Sequence, residues 1–279
     1  MPVTITSRRA FILAVALGVP ACRQKPAVRP LRLGTTTTVQ QSGMLAVAES
    51  LWHGVPLATV IGPSGQILRS AAAGDLDVVL THAPALEAKF LGRATVVERC
   101  PFVTSRFVVV GPAADPAGVR GAHDAADALR RIAAREATFV SRGDSSGTHE
   151  REVAVWRSAG LEPWAGDHRW YVESGTDQTT TLRLADERRA YALADLPTLA
   201  TLRDFALLPL FGDDTVLLNR YSITLVRLPT AHPEARPFFA WALDTWRRQV
   251  LAIRLADGTP AFAPSPGACV ISSQSPSTP

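Results

Sequence analysis

Three cysteines in 279 residues are too few for a disulfide framework. Neither Cys100 nor Cys269 has a Cys or His neighbour at metal-ligand spacing, so no zinc site is expected and no metal cation is assigned. Charged residues make up only 19% of the chain, and the excess of Lys and Arg over Asp and Glu is +4. That surplus makes no basic face, and nucleic acid is not an expected partner. The sequence has no Gly-x-x-x-x-Gly-Lys-Ser/Thr run, no His-Glu-x-x-His and no Cys-x-x-Cys. It has no repeat period, and no segment after the N-terminal region approaches the roughly 20 apolar residues of a membrane-spanning helix. With 47% hydrophobic residues the composition is that of a globular chain. At roughly 150 residues per domain, its length allows about two domains.

The N-terminus reads as an export signal. Arg8 and Arg9 precede Phe11-Ile12-Leu13 and an apolar stretch from Ala10 to Val19 broken by Gly18. Ser7 to Leu13 resembles a twin-arginine signal, and Val19-Pro20-Ala21-Cys22 resembles a lipobox in which Cys22 is acylated. A plain cleaved signal with Cys22 incidental is the alternative. Residues 1–21 are thus assigned as signal and 22–30 as a tether, with Pro26 and Pro30 resisting helix. Removing the signal takes two arginines with it and lowers the net charge from +4 to +2. Cys100 and Cys269 remain, and an exported chain permits their pairing without requiring it.

Downstream, short apolar runs alternate with helical patterns. Strands are expected over 31–35, 57–61, 78–80, 107–110, 138–140, 170–172, 191–194, 206–210 and 221–226. Helices are expected over 42–50, 66–73, 86–91, 124–135, 150–158, 179–188 and, as one long amphipathic segment, 237–255. Residues 265–279 are rich in Ser and Pro and read as a loose tail. Alternation of this kind implies an α/β fold with mostly parallel sheets, in which ligands bind beyond the carboxyl ends of the strands.

Four of those strand ends share one chemistry: Thr35 to Thr38, Ser64-Gly65-Gln66, Ser141 to Thr148, and Gly175 to Thr181. Each is a hydroxyl-rich turn that opens a helix. Such turns cap helices. They also present free N–H groups and hydroxyls to an anion. Arg142 adds a planar, permanently charged fork, and either meets an anion or pairs with Asp144 two residues on. Asp144-Ser145-Ser146-Gly147-Thr148-His149 invites a hydrolase reading, but nothing near it supplies a matched base and orienting acid. No catalytic residue and no cofactor are assigned.

These segments, with Gln40 and Ser42-Gly43, His82-Ala83-Pro84, Phe107 to Pro112 and Asn219 to Ser222, run in the order seen in one family. From about Leu31 to Pro264 the chain resembles the substrate-binding component of bacterial tungstate ABC transporters, a branch of the type II periplasmic-binding-protein superfamily. The resemblance implies two α/β lobes joined by two crossover strands: lobe 1 from 31–108 and 215–264, lobe 2 from 109–214. It implies a monomer that clamps tungstate or molybdate in the cleft and delivers it to a permease and its ATPase. By position, the ligand would be held at Thr36, Thr37, Ser64, Arg142, Thr148 and Thr179. Asp177-Gln178-Thr179 departs from the family's Gly- and Met-containing turn, so Asp177 either caps the helix or faces the anion and repels it. In the second case the pocket would suit another small ligand, as in an orphan sensor of the same fold.

Overall fold

The structure, a computed structural model, describes residues 28–272. The signal expected over 1–21, the acylation expected at Cys22 and most of the tether lie outside the described residues. In chain order the elements are β1 (Leu31–Thr36), α1 (Thr37–Gln41), α2 (Met44–Leu51), β2 (Leu57–Gly62), α3 (Ser64–Ala73), β3 (Val78–Thr81), α4 (Pro84–Phe90) and β4 (Val96–Gly111). There follow α5 (Ala125–Ala134), β5 (Phe139–Ser141), α6 (Gly147–Ser158), β6 (Tyr171–Glu173), α7 (Gln178–Glu187), β7 (Ala192–Asp195), α8 (Leu196–Thr201) and β8 (Leu208–Phe211). The chain closes with β9 (Leu218–Val226), α9 (Ala235–Trp241), α10 (Arg247–Leu251), β10 (Ala263–Pro264) and β11 (Val270–Ile271).

The main sheet is mixed rather than mostly parallel. Its order is β10-β4-β9-β3-β1-β2, with β7, β8 and β11 also on β4. Strands β1, β2 and β3 are parallel because helices carry the chain between them. Strand β9 returns from the second lobe and runs antiparallel to both β3 and β4. The sixteen-residue β4 serves both lobes: Val96 to Arg106 pair with β9, and Phe107 to Val110 pair with β7. One core gathers Leu31, Leu33, Met44, Phe102, Phe238 and Trp246. A second gathers Phe107, Leu129, Phe139, Trp156, Tyr191 and Leu217. In lobe 2, β5 and β6 form a separate parallel pair.

Three further expectations change. The helix expected over 42–50 is α2, and an unexpected short helix, α1, precedes it, with Gly43 between them in the left-handed region (φ 84°). The helix expected over 237–255 carries a π-turn at 242–246, whose last residue, Trp246, is fully buried and donates its Nε1–H to the Met44 carbonyl at 2.8 Å. The tail expected from 265 is fastened as far as it is described. Cys269 is bonded to Cys100, Val270 lies opposite Arg99, and the Ser272 N–H donates to the Val97 carbonyl at 3.0 Å. At the other end, His232 Nε2–H donates to the Arg29 carbonyl at 2.9 Å. Both ends of the described chain are therefore held by lobe 1.

Candidate functional site

Each lobe offers the same device, two parallel strand ends that open into helices. In lobe 1, Thr36 lies opposite Gly62, so the start of α1 sits beside the start of α3 and Thr36, Thr38 and Ser64 come together. In lobe 2, Ser141 lies opposite Glu173, so Arg142 sits beside Ser174 and Gly175, near the starts of α6 and α7. The two devices face each other in contact. A methyl group on Gly65 would stand 3.5 Å from the Ser145 carbonyl oxygen. Gln41 Nε2–H, at the end of α1, donates to Asp177 Oδ1 at 2.8 Å across the cleft. The Ala85 N–H of lobe 1 donates to Glu150 Oε1 of lobe 2 at 3.0 Å.

Beside the unpartnered acceptors Gln41 Oε1, Gln178 Oε1, Glu150 Oε2 and His82 Nε2, four side-chain donors in this region are buried without a partner in the protein: Thr38 Oγ1, Ser64 Oγ, Arg142 Nη1 and Thr148 Oγ1. The four donor residues are at most 1% exposed. An unsatisfied buried donor costs about 1–3 kcal/mol, so four at one cleft point to a ligand rich in acceptors. Arg142 is both of the things its sequence position allowed. Nη2–H pairs with Asp144, Nε–H donates to the Thr176 carbonyl at 3.3 Å, and Nη1 is left over. Burial pulls its pKa down, and Asp144 offsets part of that. The guanidinium stays charged. Asp144 is itself fixed, with Oδ1 accepting the Ser146 N–H at 3.1 Å. The pair is neutral overall, so a dianion placed here would meet chiefly neutral dipoles and hydroxyls, with Nη1 as its one charged contact.

Thr36 is buried, but its hydroxyl oxygen caps α1 by accepting the Val39 N–H at 3.3 Å. Thr37 and Thr179 are half-buried, and one residue away Thr38 and Gln178 are fully buried. The Thr179 N–H is drawn to the Asp177 carboxylate. Asp177 caps α7, accepting from the Thr180 N–H at 3.1 Å and hydroxyl at 3.0 Å as well as from Gln41. Its pKa lies below the ordinary value because those hydrogen bonds outweigh its burial. Gln178 carried no sequence signal. Its Nε2–H donates to the Leu193 carbonyl at 3.2 Å, which leaves Oε1 unpartnered. The hydrolase geometry is absent: Ser146 Oγ caps α6, and His149 Nδ1 accepts the Ser145 backbone N–H at 3.2 Å. Among the described residues one cluster has metal-ligand character, Glu98 with Cys100 and Cys269, and its sulfurs are bonded to each other.

Behind Arg142 lies Glu152, fully buried on α6. Ser141 Oγ–H and Tyr171 O–H donate to it at 3.0 and 2.9 Å, yet burial pushes its carboxyl up to about 7. The folded-state value is above the unfolded one, so this stabilisation is complete below the ordinary carboxylate pKa and lost as pH rises through 7. Relative to the wild type, the Tm of Glu152→Gln should therefore climb between pH 5 and 7.5, leaving the variant the more stable protein at pH 8. Parallel Tm profiles for the two proteins would contradict this.

Residues 23–244 match the family model of a PBP superfamily domain. The chain belongs to that superfamily, among the tungstate-binding proteins. It is 35% identical over 249 residues to a putative ABC transporter anion-binding protein of Haloferax volcanii, covering 84% of this chain and 72% of the relative. It is 32% identical to the tungstate-binding protein TupA of Peptoclostridium acidaminophilum, covering 85% and 86%. The crystal structure of the tungstate ABC transporter from Geobacter sulfurreducens superposes with a TM-score of 0.68 at 36% identity, covering 77% of this chain and 94% of that one. The family is one of binding proteins, and the chain is a substrate-binding component rather than an enzyme.

Proposed function

We propose that the protein captures tungstate or molybdate between its lobes outside the cytoplasm and hands it to an ABC permease driven by an ATPase. The observation that carries this reading is the set of four unpartnered buried donors on Thr38, Ser64, Arg142 and Thr148. The names of its relatives support the choice of oxyanion. The Cys100–Cys269 bridge fits an oxidising compartment and hence the export signal at 1–21. Acylation of Cys22 would keep the protein, acting as a monomer, at the membrane that holds the permease. Lobe 1 is assigned to 31–108 and 215–264, lobe 2 to 109–214. The ligand-facing residues are Thr36, Thr37, Thr38, Ser64, Arg142 and Thr148, with Thr179 at the start of α7.

A ligand present at 100 times its Kd adds about 2.7 kcal/mol of stability. For a chain this long that is about 5–10 °C in Tm. Micromolar tungstate or molybdate should produce such a shift, and chloride or phosphate should not. A flat response to tungstate, molybdate and sulfate alike would refute the reading.

The Gln41–Asp177 bond spans the cleft and is made to a charged acceptor, so it slows reopening. Gln41→Ala leaves the α7 cap intact and should speed tungstate dissociation by about tenfold, read by stopped-flow tryptophan fluorescence. An unchanged off-rate would show that the bond does not hold the lobes together.

A further inference from the structure

The ring of His82 is 3% exposed and lies where the lobes meet. It follows β3, whose register with β1 (Thr35 opposite Leu80) brings it level with the start of α1. Tyr221 of β9 packs on it at 4.9 Å between ring centroids, and Phe107 of β4 at 6.4 Å. From lobe 2, Gly147 fits against the ring edge. A Cβ there would stand 2.6 Å from His82 Cε1, so only glycine permits this contact.

The neighbours assign the tautomer. The Asp195 carboxylate accepts from Ser105 Oγ–H at 2.6 Å, from Asn219 Nδ2–H at 2.9 Å and from the Thr198 hydroxyl at 3.1 Å. That directs the Asn219 amide nitrogen at Asp195, so Asn219 Oδ1 faces His82 Nδ1 at 3.0 Å. Nδ1 must then donate. Nε2 is left as a bare, buried acceptor with no partner in the protein. A second proton would have to go there, with no acceptor to receive it.

The charged groups around the ring do little to welcome that proton. Arg142 approaches from the loop before α6 and Arg151 from α6 itself, and both oppose it. Glu150 lines the same small cavity of about 180 Å³; its Oε1 accepts the Ala85 N–H, and its Oε2, buried without a partner, makes no hydrogen bond to the ring. Glu87 on α4 is occupied by Thr81, Ser222 and Arg99. Asp195 reaches the ring only through Asn219. Burial, reinforced by Arg142, holds the imidazole down at about 3 in the closed arrangement. Parting the lobes removes Gly147 and returns the ring edge to water, where an imidazole titrates near 6.5.

We propose that His82 is a proton-operated gate on lobe closure: its neutral ring permits the closed, ligand-holding form, and its protonation favours opening and release. The proposal rests on the oxyanion-clamp reading above. Closing around the ligand must expel one proton, so affinity falls tenfold per pH unit below the ordinary imidazole value. Ionisation of Glu150 or Glu152 works in the opposite sense. Protonating either carboxyl favours an anion nearby, so those groups would tighten binding in acid.

The test is the tungstate Kd from pH 8 to pH 5.5, by calorimetry, on the wild type and on His82→Asn. The variant keeps a donor for Asn219 and does not titrate. The wild type should bind about tenfold more weakly at pH 5.5 than at pH 8, while the variant should bind equally at both. A wild-type profile that is flat or rises in acid overturns the gate alone, as does an unchanged slope in the variant. Absence of wild-type binding at pH 8 overturns the oxyanion reading and the gate with it. If the variant does not fold, deuterium exchange at His82 Cε1 of the wild type reads the same quantity. The ring should titrate between pH 6 and 7 without tungstate and stay neutral to pH 5.5 when saturated with it. The same midpoint in both states overturns the gate.

Discussion

Arg142→Ala should raise the tungstate Kd by two to three orders of magnitude, the loss expected when one partner of a buried charge-assisted contact is removed, about 3–4 kcal/mol. Arg142 is 1% exposed, and two of its nitrogens are already committed, to Asp144 and to the Thr176 carbonyl. Only Nη1 is free to meet a ligand. Truncation also removes the neutraliser of Asp144, leaving a carboxylate beside the position of a dianion. The repulsion adds to the lost contact. Restoring neutrality in Arg142→Ala/Asp144→Asn should recover part of the affinity, and this non-additivity separates the two effects. Arg142→Lys should fall between, because an ammonium cannot serve the Thr176 carbonyl, Asp144 and a ligand in one plane. Isothermal titration on variants shown to unfold cooperatively measures all of these. Wild-type affinity in Arg142→Ala would move the site elsewhere.

Reducing the Cys100–Cys269 bridge, or replacing Cys269 by Ser, should lower Tm by about 10 °C. A disulfide contributes about 2–4 kcal/mol, and each kcal/mol is worth about 2–4 °C in a chain of this size. The bridge joins residues 169 apart and pins β11 to β4. Without it, the two-residue β11, with both side chains exposed, has little to hold it. Tungstate affinity should survive reduction, because β9 and β3 stand between β4 and the site strand β1. A Tm indifferent to reductant would show that the bridge adds nothing to the folded chain.

The alternation of strands and helices was legible because apolar runs such as 78–80 and 107–110 are bounded by Gly, Pro and polar turns. The stretch of β4 before Phe107 was not. Arg99, Pro101 and Arg106 interrupt its apolar pattern, and it is extended because β9 and β11 pair along it. Helix α1 was missed for a related reason. Thr and Val are poor helix formers, and this short turn is held by the Thr36 cap and by contact with lobe 2. In the site, Arg142 was visible as a lone charge in a hydroxyl-rich turn, and Asp144 as its near neighbour. Which threonine of four points its hydroxyl inward depends on backbone direction, which one sequence does not encode legibly. The structure favours Thr38 over Thr37 as the buried side chain. Gln41 and Asp177, 136 positions apart, had no local signal linking them.

The attachment of both ends of the described residues to lobe 1, through Arg29 on His232 and Ser272 on Val97, has a mechanical consequence. Among the described residues, lobe 2 is reached only through internal strands and carries neither end. With the proposed anchor at Cys22, the molecule would have one stationary jaw and one that swings. The stationary jaw carries Thr36, Thr38 and Ser64, and the moving jaw carries Arg142, Asp144 and Thr148. On the proposed reading, each opening would withdraw the charged half of the grip and leave only the neutral half in place.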